Sequence, residues 1–87
     1  MAALVAKEDI PSLKIIPAFV DNTERWLKEL EYALRLGNEH KGKTHIVFET
    51  TKGPREVTTT IWSLSDHYLE LKGGTLIPLN SIIEIFF

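Results

Sequence analysis

The chain has 87 residues, no cysteine, 10 basic and 12 acidic side chains, and a formal net charge of −2. This length fits a single domain, and the absence of cysteine excludes disulfides and thiolate metal sites. A hydrophobic fraction of 44% with 25% charged residues is typical of a folded globular protein rather than a disordered one.

Residues 1–20 are predicted to form an arm that precedes a single domain spanning residues 21–87. Pro11 and Pro17 both oppose a continuous helix in this arm. Its later apolar side chains should not remain together in water, so we expect the arm to lie along the domain or against a second chain. No basic residue precedes the first apolar run, and the apolar runs are too short to span a membrane. We therefore expect a cytoplasmic protein without a signal peptide.

Residues 21–36 are predicted to form the one helix. Asp21 with Glu24 three residues later is a capping-box pattern, and Gly37 suits the position just after the last turn. A single apolar stripe runs along this segment, formed by Trp26, Leu27, Leu30, Ala33 and Leu34. We expect this stripe to cover an open end or face of a sheet. The alternative is a helix that docks into a groove of a partner.

Residues 44–51 and 56–65 are predicted to form a β-hairpin around a turn at residues 52–55. Apolar residues alternate in the second strand, but the alternation changes phase at Ile61 and Trp62. Such a change predicts a bulge or sharp bend, because otherwise half of the apolar side chains would face water. A long bent strand of this kind allows a small sheet to curl.

Three short strands are predicted to end the chain, at residues 68–72, 75–77 and 82–87. Gly73 and Gly74 supply the positive φ angles that a tight hairpin needs. Pro78 should end the middle strand because it has no N–H for the ladder, and residues 79–81 read as a single turn.

The last segment places one proline among regularly spaced apolar residues: Leu69, Leu71, Ile77, Pro78, Leu79, Ile82 and Ile85. The order of elements resembles that of small SH3-like and Sm-like barrels, and with these residues the last segment is most similar to the Rho-binding antitermination inhibitor group. The resemblance implies a small β-barrel that binds RNA or a protein that handles RNA. We transfer no binding residue from the family to this chain.

The sequence predicts a mostly β protein with one helix, in which a five-stranded antiparallel SH3-like or Sm-like barrel follows a capping α-helix. The fold alternative is an α+β protein with an open antiparallel sheet and the helix on one face. Whether the bend at Ile61 and Trp62 is present should decide between the barrel and the open sheet.

Paired acids, nucleophile–base patterns and metal-ligand spacings are missing from the sequence, so we expect no enzyme, no metal and no cofactor. A weak cluster of basic and aromatic residues could hold single-stranded nucleic acid or a partner. Its members are Lys41, Lys43, Lys52, Arg55, Trp62 and Tyr68.

Phe86 and Phe87 end the last predicted strand, and one of them should be exposed unless a helix, the arm or a second subunit covers it. Our first functional hypothesis is a non-enzymatic binding module for RNA or an RNA-associated protein, with no membrane partner. The alternative is a structural or interaction domain that forms a homodimer or higher oligomer through its sheet edge and C-terminal strand.

Overall fold

The computed structural model describes residues 3–35 and 43–86, and within these ranges the chain forms seven strands, one α-helix and two 3₁₀ helices. The strands are β1 (Ala3–Leu4), β2 (Thr44–Thr50), β3 (Gly53–Thr59), β4 (Ile61–Leu64), β5 (Tyr68–Leu71), β6 (Leu76–Pro78) and β7 (Ile82–Phe86). The helix α1 is Thr23–Arg35, and the 3₁₀ helices are Lys7–Ser12 and Leu79–Ser81. The expectation of a mostly β protein with one α-helix is confirmed.

The strands form two sheets. The first sheet has the order β1-β3-β2-β7, and the second has the order β4-β5-β6. All pairs are antiparallel except β1 with β3, which is parallel. The described residues form no closed barrel, so the predicted five-stranded barrel is replaced by an arrangement closer to the α+β alternative. The ladder does not close because β6 has no strand other than β5 beside it in this part of the chain.

The predicted bend in the second long strand is present. Residues 53–64 form one extended segment that is interrupted at Thr60, so that β3 pairs in the first sheet and β4 in the second. The register also shifts between Ile61 and Ser63. This bulge is the structural cause of the phase change in the sequence, because it turns two successive residues to one side of the sheet.

The C-terminal half follows the predicted order closely. Gly73 and Gly74 have φ angles of 101° and 93° in the β5–β6 connection, a region that other residues rarely adopt. Pro78 is the last residue of β6 rather than the residue after it, and it lies opposite Tyr68. A proline is tolerated there because β6 is an edge strand.

The core lies between the two sheets and α1. Phe48, Leu69, Leu71 and Ile77 are among its completely buried side chains. β2 shows the strict alternation of buried and half-buried residues that the sequence pattern predicts for a strand with one face on the core.

The helix begins two residues later than predicted. The Asp21 carboxylate accepts hydrogen bonds from the N–H and the hydroxyl of Thr23, and the first helical bond runs from the Trp26 N–H to the Asn22 carbonyl. The predicted capping box is therefore wrong, because Glu24 lies too close to the start of α1 to reach back. Trp26 and Leu30 are buried as the apolar stripe predicts, whereas Gly37 lies outside the described residues.

The N-terminal arm lies along the domain. The Val5 N–H donates to the Glu56 carbonyl at 2.8 Å, which extends the β1–β3 pairing. Ile10 is buried in the core from the first 3₁₀ helix. Farther on, the Ile16 N–H donates to the Glu49 carbonyl at 3.2 Å, beside the end of β2. Phe19 and Val20 remain exposed, although the arm lies along the domain as expected.

Candidate functional site

Two large apolar side chains of β5 and β6 point away from the core. Leu69 and Ile77 lie opposite each other and are completely buried. Because successive side chains of a strand alternate between its faces, Tyr68 and Leu76 point outward. Tyr68 is 46% exposed and Leu76 is 51% exposed.

The bulge in β4 adds an aromatic side chain to the same face. Ser63 lies opposite Glu70, and its hydroxyl donates a hydrogen bond to Oε1 of that residue at 2.7 Å. Ile61 lies opposite the buried Leu71, so Trp62 projects on the outer side and is 62% exposed. The outer face of β4, β5 and β6 therefore carries three large exposed apolar side chains. We call this surface the β4–β6 face.

A groove runs along the edge of this face, beside β6. Its first part lies between the N-terminal arm and the β5–β6 hairpin. The residues that line this first part are mostly apolar: Ile10, Pro11, Leu13, Ile15, Tyr68, Gly73, Gly74, Thr75, Leu76 and Pro78. None of these side chains is charged.

The second part of the groove lies between the start of α1 and the loop before β5. It is lined by Asp21, Thr23, Asp66, His67, Tyr68, Pro78, Leu79 and Asn80. Tyr68 and Pro78 line both parts, so the two depressions adjoin at these two residues. We call the whole depression the β6 groove.

The two ends of the β6 groove carry different charges. At the hairpin end the Lys7 ammonium lies beside Gly73, where Nζ would be 3.7 Å from an added Cβ. At the other end stand the carboxylates of Asp21 and Asp66. The hydrogen bonds from the Thr23 hydroxyl and N–H lower the pKa of Asp21, so this carboxylate is ionised at neutral pH.

The structure separates the predicted basic loop from the predicted aromatic residues. Lys52 lies in the turn between β2 and β3, and the Arg55 guanidinium donates to the Pro54 carbonyl nearby. Trp62 follows Arg55 by seven residues, beyond the break at Thr60, a separation of roughly 20 Å in an extended chain. The hairpin turn and the β4–β6 face are therefore different surfaces.

Lys43 is the predicted basic residue that lies closest to the bend. It precedes Thr44, which pairs with Thr59, so it stands beside Thr60. Lys72, which the sequence did not single out, donates its backbone N–H to the Thr60 carbonyl at 2.9 Å. Two lysines thus flank the bend that leads into Trp62. Lys41 lies outside the described residues.

The C-terminal aromatic residue that the structure describes is on the first sheet. Phe86 lies opposite His45 on β2, and their rings stack with centroids 4.9 Å apart. Nδ1 of His45 also lies 2.9 Å from the Thr58 hydroxyl and 3.8 Å from Oε2 of Glu56. Phe86 nevertheless keeps 41% of its surface exposed, as the sequence predicts for one of the two terminal aromatics. Phe87 lies outside the described residues.

Apart from Tyr68, sequence reasoning did not single out as binding residues those that form the walls of the β6 groove. Leu76 could have been found, because it is an apolar residue out of phase with Ile77 on a strand with one buried face. Ile10 and Leu13 carry no such signal, because only the folded arm brings them beside β6.

Comparisons of the chain with protein-family models, with curated proteins and with solved structures found no match. Within residues 3–35 and 43–86, no three His, Asp or Glu side chains converge on a point where a metal ion could bind. No helix in the same ranges is long and apolar enough to cross a membrane.

Proposed function

We propose that the protein is a non-enzymatic binding module that holds an extended segment of another protein in the β6 groove. The observation that carries this proposal is the pair of adjoining depressions beside an edge strand, the first of them mostly apolar, next to a face with exposed Trp62, Tyr68 and Leu76. Exposed apolar surface of this kind marks interaction sites in folded proteins. Tyrosine and tryptophan are also the residues that contribute most often to binding energy at interfaces.

The backbone of β6 supports binding of an extended segment. The Leu71 N–H donates to the Thr75 carbonyl and the Leu79 N–H donates to the His67 carbonyl, so alternate residues of this segment face β5. Leu76 therefore turns its N–H and C=O away from β5. An extended peptide can add to such an edge as a further strand, with backbone hydrogen bonds for affinity and side-chain pockets for specificity.

Pro78 limits this pairing to a short stretch. It has no N–H, and its carbonyl accepts a hydrogen bond from the Ser81 hydroxyl at 2.6 Å. Prolines and short lengths are common on edge strands because they prevent unselective aggregation. A ligand would therefore gain few backbone hydrogen bonds, and apolar contacts with the groove would supply most of its affinity.

The finer classification of the fold belongs to the same proposal. We infer that the two sheets are the two halves of an SH3-like or Sm-like arrangement, because β3 and β4 are separated by Thr60 alone and pair in different sheets. The resemblance to the Rho-binding antitermination inhibitor group is a proposal on the same basis.

Single-stranded RNA is the second candidate ligand. The exposed Trp62 and Tyr68 could stack on bases, and Lys43 and Lys72 lie at the bend beside the same face. The carboxylate of Glu70 stands on this face and would repel phosphate groups. The protein ligand is therefore favoured.

Self-association is the third candidate. β7 has β2 as its one neighbouring strand in the described part of the chain, and Ile83 and Phe86 on it are exposed. An apolar edge strand of this kind can pair with a second copy of the chain. The mass of the protein in sedimentation equilibrium, measured with Phe86→Asp as the comparison, tests this directly.

The main test is selection of peptides from a random display library on the immobilised 87-residue chain. We expect enriched peptides rich in apolar residues, with binding lost in Leu76→Asp and kept in Leu4→Asp. Leu4 is a matched control because it is an exposed leucine on the first sheet, away from the groove. Equal enrichment on wild type and Leu76→Asp would overturn the proposal.

The competing ligand is tested on the same samples with a twelve-residue oligouridine. Trp62 reports on this titration by fluorescence at low and high salt. Quenching that saturates at low salt and weakens steeply as salt rises would replace the protein ligand with RNA. A flat titration together with enriched peptides supports the proposed function.

A further inference from the structure

We infer that the β6 groove binds its peptide in one direction, with a basic side chain of the ligand near Asp21 and Asp66 and an acidic side chain near Lys7 and Lys72. This inference rests on the proposed function, because it concerns the ligand of the same groove. It adds the chemical pattern of the partner: a charged residue at each end, opposite in sign, with apolar residues between them.

The hairpin end of the groove is basic. The ammonium of Lys7 stands beside Gly73, which lines the groove. Lys72 directly precedes Gly73, and its N–H is bonded to the Thr60 carbonyl, which holds this end of the hairpin in place. Within the described ranges, neither lysine forms a salt bridge with an acidic side chain. Both positive charges are therefore available to a carboxylate of the ligand.

The opposite end of the groove is acidic, and hydrogen bonds hold one of its two carboxylates in place. Asp21 is fixed by its two hydrogen bonds from Thr23 at the start of α1. Asp66 lies in the loop that Ser65 anchors, because the Ser65 N–H donates to the Tyr68 carbonyl at 2.9 Å. A ligand with a Lys or Arg side chain at this end would meet two negative charges.

The section between the two ends contains no charged side chain. Leu13, Tyr68, Leu76 and Pro78 are among the residues that line it. A charge on the ligand in this section would lose hydration without gaining a partner, which is unfavourable. The groove therefore favours apolar side chains in the middle of the ligand and confines its charges to the ends.

The direction of the ligand chain follows from the direction of β6. This strand runs from Leu76, near the basic end, to Pro78, near the acidic end. Antiparallel pairing is slightly more stable than parallel pairing. A ligand strand antiparallel to β6 starts at the acidic end and finishes at the basic end, so its basic residue precedes its acidic residue in sequence.

The test uses three display libraries that differ only at two fixed positions. Each peptide has five randomised residues, flanked by Lys and then Glu, by Glu and then Lys, or by Gln at both positions. Reversing the charges turns two attractive contacts into repulsive ones. Since each exposed pair contributes a fraction of a kcal/mol, we expect the Lys-first library to bind about threefold to thirtyfold better than the Glu-first library. This ratio should shrink at about 1 M salt, where exposed charges are screened.

Exchanging one charge at each end of the groove should abolish this preference. We expect the double variant Lys72→Glu with Asp66→Lys to bind the Lys-first and Glu-first libraries about equally, because each end then carries one basic and one acidic side chain. The matched control is Lys28→Glu with Glu31→Lys, which exchanges exposed charges on α1 and should leave the preference unchanged.

Each outcome has a distinct meaning. Equal binding of all three libraries, still lost in Leu76→Asp, would overturn the directional inference and leave the proposed function standing. A preference that survives the exchange at Lys72 and Asp66 would also overturn it. If the wild-type protein binds every library no better than Leu76→Asp does, the proposed function itself is overturned.

Discussion

Replacing Trp26 with phenylalanine should destabilise the protein strongly. Trp26 is buried, and its indole N–H donates a hydrogen bond to the Ile82 carbonyl at 3.0 Å, which attaches α1 to the start of β7. Phenylalanine cannot donate this bond, and leaving a buried carbonyl without a donor costs about 1–3 kcal/mol. The smaller ring also leaves a cavity that costs about 1 kcal/mol.

The expected loss is therefore about 2–4 kcal/mol. A domain of this length has a free energy of unfolding of about 4–13 kcal/mol, so the substitution removes a large part of the total. Urea unfolding followed by far-ultraviolet circular dichroism measures the difference. Trp62→Phe is the matched control, and we expect it to change stability by less than about 0.5 kcal/mol because Trp62 is largely exposed.

An equal loss in both variants would contradict this reasoning. It would mean that Trp26 is no better packed than Trp62. A loss below about 0.5 kcal/mol in Trp26→Phe would mean that α1 is not attached to β7 through this hydrogen bond.

Two further predictions concern local backbone and charge. Gly74→Ala should lower the free energy of unfolding, measured with urea, by about 1–2 kcal/mol, because the φ of Gly74 is 93° while the space around an added Cβ is open. Gly74→Asn should lower it less, since asparagine tolerates positive φ better than alanine. Equal losses in the two variants would refute this prediction. The lowered pKa of Asp21, caused by the Thr23 hydroxyl and N–H, stabilises the folded state above about pH 4. That contribution is lost as pH falls through the pKa of Asp21 in the folded state. Asp21→Asn should therefore make the free energy of unfolding less dependent on pH in this acidic range. An unchanged pH profile of the free energy of unfolding would contradict the role of Thr23.

Much of the fold could be predicted because its signals are local. Ile46 and Phe48 are two residues apart, and this spacing alone indicates that they share one face of a strand. Both are completely buried. Gly73 and Gly74 likewise indicate a turn, because glycine has no Cβ and therefore tolerates positive φ angles.

The closure of the sheets could not be predicted in the same way. The phase change at Ile61 and Trp62 correctly indicated a bend, but a bend brings two sheets together without joining their outer edges. Whether β6 meets another strand depends on residues far away in the sequence. In the structure the N-terminal arm, with Ile10 and Leu13, lies across the groove from β6.

Two of the predicted site residues, Trp62 and Tyr68, share an outer face. Lys52 and Arg55 do not join them, because the break at Thr60 separates the hairpin turn from β4. Basic residues close in sequence to an aromatic residue can thus lie on a different surface.

The sequence by itself determined which side of each strand is apolar, where the β5–β6 hairpin turns and where the long strand bends, because these features depend on neighbours within a few residues. The predicted turn at residues 52–55 is too long, since β3 already begins at Gly53. Only the tertiary structure decided that Asp21 and Asp66 line the same depression and that Lys7 stands beside Gly73 at the other end of the groove. Those residues are brought together by packing between distant segments, and the free energy of that packing is a sum over the whole core rather than a property of any short stretch.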